Sequence, residues 1–205
     1  MPDFAVSGKN QACPRLRSER PTMSTLLLAT LVTLDADLAN GPRLFDFSSK
    51  GTAEKWYAIN DGVMGGVSSG RITGTDEGTV MFEGQVSLEN NGGFASVRSR
   101  PRPLDLTGYD GLRLRVRGDG NRYKINFKTD ESFDGLLYRA VFHTQPGRWQ
   151  TIEIPFSEFE PTYKGRVVDN APAADLSRVR SLGMMISDKQ AGPFAIEIDW
   201  IDALP

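Results

Sequence analysis

Apolar and polar residues alternate with a period of two through most of the chain after position 44. In the run GLRLRVRG, the leucines and the valine fall on one side and three arginines on the other. The runs YKINFK, QTIEIPF and AIEIDWI repeat this pattern, and the last of them places Ile196, Ile198 and Trp200 on the apolar side. Alternation of this kind predicts strands that bury one face against a core.

Turn-forming residues interrupt these runs about every ten positions. The 21 glycines and 12 prolines are spread along the chain and do not form a low-complexity segment. Further strands are predicted at Val80–Leu88, Ala95–Ser99, Tyr138–His143 and Leu182–Ile186. Many short alternating strands with regular turns indicate an all-β fold, an antiparallel sandwich of two sheets.

The first 42 residues differ from the rest, and we expect a leader there, disordered or acting as a signal segment, before a single domain at 43–203. The apolar run Leu26–Leu34 is too short to span a bilayer but long enough for a signal-peptide core. If the protein starts at Met23, no basic segment precedes that run. We therefore favour a cytoplasmic protein, with export to the periplasm as the alternative, and expect no transmembrane segment.

Composition and motifs argue against several classes of function. A net charge of -2 disfavours nucleic acid as a partner, and the single cysteine, Cys13, excludes an intrachain disulfide and a cysteine-based zinc site. The sequence contains no nucleophile elbow, phosphate loop or metal-ligand cluster. We therefore expect no cofactor, no metal and no enzymatic activity, and a glycosidase with two carboxylates is the weakest hypothesis.

The turn in GDGNRY has Gly-Asn at its tip, which is typical of a two-residue hairpin connection. It predicts that the strand before it pairs with the strand after it. In that register Arg117 lies beside Lys124, and Arg115 lies beside Asn126. The result would be a basic stripe on the outward face of one hairpin.

Like charges placed opposite one another on a sheet cost stability, so negative groups are expected near this stripe. The structural candidates are Glu153, Glu197 and Asp199, which alternate outward on other predicted strands. The functional candidates are a bound anionic or polyhydroxyl ligand and an acidic partner.

Two loops combine glycine pairs with short polar side chains. They read NDGVMGGVSSG at 60–70 and LENNGGFASVRS at 88–99. Glycine allows positive φ, so backbone amides can turn toward one side and form a small polar concavity. Met64 and Phe94 add apolar groups to the two loops. Because the loops flank successive strands and share a composition, we expect them to meet at one rim of the sandwich.

Several motifs resemble those of the complex I intermediate-associated protein 30 family. They are RLFDFSS, WYAINDGVMGGVSSG, FEGQVSLENNGGFASVR, LDLTGYDGLRLRVRGDGNRYKINF, PGRWQTIEIPFSEFEPTYKGR and VRSLGMMISDKQAGPFAIEIDWI, in that order. The resemblance spans about Arg43 to Ile201. It implies a jelly-roll sandwich of the galactose-binding-like type. It also implies a non-enzymatic assembly factor, since the mitochondrial members assist assembly of respiratory complex I.

The resemblance also implies a signature surface made of both loops. Its residues are Asp61, Met64, Gly65, Gly66 and Ser68 from the first loop, and Asn90, Asn91, Gly92, Gly93, Phe94, Ser96 and Arg98 from the second. The long N-terminal region of the mitochondrial members has no match here, so their targeting and client are not carried over.

Two functions are compatible with these features. The first is a chaperone-like module that docks on protein partners, such as respiratory-complex intermediates, through the glycine-rich loops and the basic stripe. The second is a carbohydrate-binding module, for which Trp56, Tyr57 and Tyr138 are the candidate aromatic platforms.

Overall fold

Strands and short 3-10 turns account for the regular structure of the domain. A computed structural model describes residues 41–49 and 51–205, without the side chains of 63 and 64. The strands are β1 (Arg43–Asp46), β2 (Trp56–Asn60), β3 (Ser69–Gly74), β4 (Val80–Val86), β5 (Ala95–Ser99), β6 (Gly111–Arg117), β7 (Arg122–Lys128), β8 (Leu137–His143), β9 (Trp149–Pro155), β10 (Glu160–Tyr163), β11 (Arg166–Val167), β12 (Ser181–Ile186) and β13 (Gly192–Leu204). The 3-10 turns are Ala53–Lys55, Asp61–Met64, Glu89–Asn91, Phe156–Glu158 and Leu176–Arg178. The predicted leader, the apolar run Leu26–Leu34 and Cys13 lie outside the described residues.

The strands form two antiparallel sheets. The first sheet has the order β3-β4-β13-β6-β9, with β1 also paired to β13, and the second has the order β11-β10-β8-β7-β12-β5-β2. Alternate side chains of both sheets bury against each other, for example Leu114 of β6 and Ile125 of β7, each with no exposed surface. The all-β prediction is confirmed, because period-two alternation specifies which face of a strand is buried.

The predicted hairpin is wrong. Strand β6 pairs with β9 and β13 in the first sheet, whereas β7 pairs with β8 and β12 in the second. The turn between them carries the chain across the core, and Asp119 holds it by accepting hydrogen bonds from Tyr123 Oη at 3.0 Å and Ala195 N at 2.8 Å. Apolar and polar residues alternate in the same way whether two successive strands form a hairpin or lie in different sheets. Each strand needs only an apolar surface opposite its buried face.

The orientation of Trp200 in β13 also differs from the prediction. The pairing of β13 with β6 shifts between Ile198 and Trp200, as in a β-bulge. Consequently Ile201, not Trp200, continues the buried row, and Trp200 lies under the guanidinium of Arg43, whose Cζ is 4.7 Å from the ring centre. An extra residue in one strand reverses the parity of every residue after it, and the sequence gives no sign of it.

Candidate functional site

Asp61 joins the two glycine-rich loops. Its side chain is 1% exposed, although the glycines around it suggest an open loop. The carboxylate accepts hydrogen bonds from Ser68 N at 2.9 Å and Ser68 Oγ at 2.5 Å in its own loop. It also accepts bonds from Gly93 N at 2.7 Å and Phe94 N at 3.4 Å in the second loop. The prediction that the two loops meet at one rim is therefore confirmed.

Ser68 extends this junction to the start of the second loop. Its hydroxyl accepts a hydrogen bond from Ser87 N at 2.9 Å while it donates to Asp61. The serine is 7% exposed. The buried acid therefore ties the segment after β2 to both ends of the segment between β4 and β5.

The glycines make room for this carboxylate. A Cβ on Gly66 would lie 2.4 Å from Asp61 Cγ, and a Cβ on Gly92 would lie 2.6 Å from Asp61 Oδ2. Gly65 and Gly93 adopt positive φ, at 87° and 135°, where side chains are strained. Close approach and backbone conformation, not flexibility, therefore account for glycine at these four positions.

Hydrogen bonding keeps Asp61 ionised. Burial raises its pKa, but the bonds from Ser68, Gly93 and Phe94 outweigh burial and leave the pKa below its usual value of 3.8. A carboxylate whose lone pairs are taken by the protein is a poor ligand or general base. Asp61 therefore stabilises the structure of the rim and is not one of its exposed groups.

The exposed surface of this rim contains both apolar and polar side chains. Val67 and Leu88 are 52% and 44% exposed, and Asn90 and Asn91 are exposed with positive φ. Phe94 is half-buried beside them. The side chain of Met64 lies outside the description. We define the loop rim as the four exposed residues Val67, Leu88, Asn90 and Asn91.

Substituting the two neighbouring glycines should separate the two reasons for glycine. We expect Gly66→Ala to lower the free energy of unfolding by about 2 kcal/mol, because the added carbon collides with the Asp61 carboxylate. Gly65→Ala has open space around it and should cost about 1 kcal/mol through positive φ alone. Urea unfolding measures both. Asparagine at position 65 should recover part of the loss, whereas asparagine at 66 should not; equal recovery at both would contradict the steric explanation.

The predicted basic stripe does not form, and its residues divide between two faces. On the first sheet, Arg115 pairs with Asp199 at 3.1 Å and Arg117 pairs with Glu197 at 2.5 Å. The structural candidates for counter-charges are therefore confirmed there. Trp149 lies under both guanidiniums, with ring centre distances of 5.4 and 5.0 Å. The third candidate, Glu153, pairs with Arg113 at 3.7 Å.

Lys124 and Asn126 belong instead to the outward face of the second sheet. Lys124 Nζ donates to Ser187 Oγ at 2.8 Å and to Asp188 Oδ1 at 2.5 Å. Burial lowers the pKa of Lys124, and Asp188 opposes this shift. Arg98 shares this face with Asn126 through the strand pairing of β5, β12 and β7.

Sequence reasoning missed several of these partners. Ser87 and Asp188 complete the contacts of Ser68 and Lys124, and Arg139 lies beside Asn126 in the neighbouring strand. Asp188 is 64 positions from Lys124. No local spacing identifies such pairs, because strand order in the sheet brings them together.

Two of the three predicted aromatic platforms are wrong. Trp56 and Tyr138 are 5% and 4% exposed and pack in the core. Only Tyr57 is exposed, at 36%. In the described ranges, no three His, Cys, Asp or Glu side chains group as a metal site would require. None of the helices among the described residues has the length and apolar character needed to cross a membrane.

The fold is that of β-sandwich carbohydrate-binding modules. A family 11 module from Clostridium thermocellum, solved with a β-1,3-1,4-mixed-linked tetrasaccharide, aligns with a TM-score of 0.59 and 19% identity, covering 81% of this chain and 98% of the module. An agarase aligns with a TM-score of 0.56 and 16% identity, over 81% of this chain and 25% of the enzyme. At such identities the likeness shows the fold alone, which is consistent with the galactose-binding-like class.

The chain belongs to the Complex I intermediate-associated protein 30 (CIA30) family, whose profile matches residues 45–198. A Drosophila melanogaster protein named complex I intermediate-associated protein 30, mitochondrial, is 34% identical over 77% of this chain and 61% of its own length. The Mus musculus protein of the same name is 31% identical over 77% of this chain and 54% of its length. An uncharacterized Schizosaccharomyces pombe protein is 28% identical over 76% of this chain and 82% of its own length.

These relatives correct one prediction. The fly and mouse proteins are named as mitochondrial, so the prediction of a cytoplasmic or periplasmic location is contradicted. The chain spans about 61% and 54% of the lengths of those two relatives. The apolar run Leu26–Leu34, and the lack of a basic segment before it if Met23 is the start, were too weak a basis for assigning a compartment.

Proposed function

We propose that this protein is a non-catalytic assembly factor that acts on intermediates of respiratory complex I in mitochondria. Membership of the CIA30 family is the observation that carries the proposal. The relatives that match over most of this chain are named for association with complex I intermediates. The domain would act by docking on a protein partner.

The loop rim is the surface best suited to that docking. Asp61 fixes both loops with four hydrogen bonds, so the rim is held in one shape before a partner arrives. Val67 and Leu88 offer apolar contact area beside the exposed amides of Asn90 and Asn91. Exposed apolar groups on rigid loops are a common basis of protein recognition.

Affinity purification from mitochondria of the native cell tests this proposal. We expect the tagged protein to retain complex I subunits, identified by mass spectrometry. The double variant Val67→Asp and Leu88→Asp should reduce their recovery at least tenfold, because charges would face the buried contact. Absence of complex I subunits from the wild-type purification would refute the proposed function.

A matched control exists at the other edge of the second sheet. Val167 is 53% exposed on β11, the strand farthest in the sheet from β2 and the loop rim. Val167→Asp introduces one negative charge at similar exposure, to be compared with each single rim variant as well as with the double one, and should leave recovery unchanged. Equal losses in the control and in the rim variants would show that the rim has no special part in docking.

Carbohydrate binding is the second candidate, and the fold of the family 11 module favours it. Against it, two of the three predicted aromatic platforms are buried in the core. Selective elution of the bound protein by a mixed-linkage tetrasaccharide would favour this candidate over assembly.

A further inference from the structure

Five residues form a cross-strand row on the outward face of the second sheet. Strand register places them side by side, in the order Arg139 on β8, Asn126 on β7, Gly183 on β12, Arg98 on β5 and Tyr57 on β2. Directly opposed residues share a face, and Ile125 and Phe127 of β7 point into the core. The cross-strand row therefore faces away from the core.

The centre of the row holds a buried amide that lacks partners. Asn126 is 4% exposed, and its side chain makes no hydrogen bond to any residue in the described part of the chain. Beside it, a Cβ on Gly183 would lie 2.6 Å from Asn126 Oδ1. Because Gly183 has no side chain, the sheet surface forms a shallow depression between Asn126 and Arg98. The amide atoms of Asn126 are not fully enclosed, so a ligand can reach a nearly buried polar group that the described residues leave without a hydrogen bond.

Two guanidiniums flank this centre, and neither forms a salt bridge with a residue that the structure describes, although Glu160 on β10 lies directly opposite Arg139. Arg98 forms neither a hydrogen bond nor a salt bridge with a residue that the structure describes. Arg139 makes one long hydrogen bond, from Nη2 to Gly165 O at 3.4 Å, and no salt bridge within the described ranges. Burial lowers the pKa of Arg139, and the charges of Asp188 and Glu160 oppose that shift.

The three other cations of β7 on this face have acidic neighbours, although Arg122, 4.0 Å from Asp188, shares that carboxylate with Lys124. Lys124 pairs with Asp188 at 2.5 Å and Lys128 pairs with Asp130 at 3.2 Å. The charge of Arg98 also lowers the pKa of Lys128, after the larger effect of burial. An anion bound to the row would relieve this repulsion. Among the arginines and lysines of β5, β7 and β8, Arg98 and Arg139 are thus the two that form no salt bridge with a described residue.

The spacing suits one anionic group between two arginines. Adjacent strands are about 4.8 Å apart, so the Cα atoms of Arg98 and Arg139 are separated by about 14 Å across three steps. Arg139 Nη2 now lies at Gly165 O, after β10, so its side chain would have to turn toward Asn126 for the two arginines to meet one ligand across that gap. Tyr57 and Val141, which are 36% and 45% exposed on the same face, provide apolar contact around the charge.

We propose that the cross-strand row binds a carboxylate side chain of an acidic, extended segment in the partner protein. Arg98 and Arg139 would hold the carboxylate through charge-assisted hydrogen bonds, and the Asn126 amide would donate a further one. This inference rests on the proposed docking function and specifies the chemistry of the partner.

A peptide titration tests the proposal on the full chain. The probes are a capped hexapeptide that alternates glutamate and glycine, its lysine counterpart, and the β-1,3-1,4 tetrasaccharide. We expect the acidic peptide alone to bind, with NMR shifts at Arg98, Asn126 and Arg139. Arg98→Gln and Arg139→Gln should each weaken it about tenfold. Binding should also weaken as salt rises.

Arg71→Gln is the matched control. Arg71 lies on β3 of the first sheet with 71% of its side chain exposed, and its loss removes the same charge elsewhere. It should leave peptide binding unchanged. The inference falls if the acidic peptide does not bind, if the control weakens binding equally, or if the tetrasaccharide binds at these residues instead.

The purification experiment separates this inference from the function beneath it. If Arg98→Gln with Arg139→Gln reduces recovery of complex I subunits, the row takes part in docking. If recovery is unchanged in this double variant, the inference is overturned and the assembly function stands. If the wild-type chain recovers no such subunits, the proposed function itself fails, whatever the peptide does.

Discussion

Asp61→Ala should lower the free energy of unfolding by about 4 kcal/mol and release the two glycine-rich loops from each other. The substitution removes the acceptor of four hydrogen bonds, which leaves Gly93 N and Ser68 N without their partner in a buried place. Urea unfolding gives the loss. Hydrogen exchange at Gly93 and Phe94 should accelerate more than exchange in β6, since the defect is at the rim.

Asp175→Ala is the matched control for this loss. Asp175 accepts hydrogen bonds from Ser177 N at 3.2 Å and Ser177 Oγ at 2.6 Å, the same kinds of donor as Ser68 provides to Asp61. It is exposed, so water replaces those bonds when the carboxylate is removed. We expect a much smaller change. Similar losses in both variants would mean that burial of Asp61 is unimportant.

The Asp61 effect should also depend on pH. Because the folded pKa lies below the usual 3.8, the unfolded state binds a proton more readily than the folded state as pH falls. The stabilisation by Asp61 is therefore complete above about pH 4 and is lost as pH falls through the folded pKa. The stability difference between the wild type and Asp61→Ala should shrink across that range. A difference that grows on acidification would contradict the assignment.

Arg117→Ala should cost about 3 kcal/mol, because it leaves a buried carboxylate without its cation. Glu197 is 3% exposed and receives Arg117 Nε at 2.8 Å and Nη2 at 2.5 Å, with Thr79 Oγ1 donating to its other oxygen at 2.6 Å. After the substitution only the threonine contact remains. Urea unfolding at neutral pH measures the loss.

Two comparisons make this result specific. Arg115→Ala removes a neighbouring arginine whose pair with Asp199 is partly exposed on both sides, and it should cost about 0.5 kcal/mol. Adding Glu197→Gln to Arg117→Ala should recover part of the stability, since the buried group is then neutral. A larger loss at Arg115, or no recovery in the double variant, would show that the buried charge is not the cause.

The fate of the arginine run shows where sequence reasoning stops. Alternation predicted that Arg115 and Arg117 face outward, and both do. It did not decide which strand lies beside them, since β6 and β7 have equivalent patterns and a short turn. The residues of the expected basic hairpin lie instead on two faces: Arg115 and Arg117 pair with acids on the first sheet, and Lys124 pairs with Asp188 on the second.

The glycine-rich loops show a different limit. Their composition predicted a shared rim and positive φ, and both predictions are confirmed at Gly65 and Gly93. Glycine-rich composition is also typical of an open loop, whereas Asp61 between these glycines is buried. Glycine is compatible with an open loop and with close contact to a side chain, so only the coordinates distinguish the two.

The sequence by itself determined that this chain is an all-β sandwich of the CIA30 family, because side-chain alternation and contiguous motifs are local properties. Only the tertiary structure decided which residues share a surface. The row from Arg139 to Tyr57 draws on five strands that are distributed over residues 56–186 of the chain. Strand order is set by how all the strands pack together, and no local pattern encodes it.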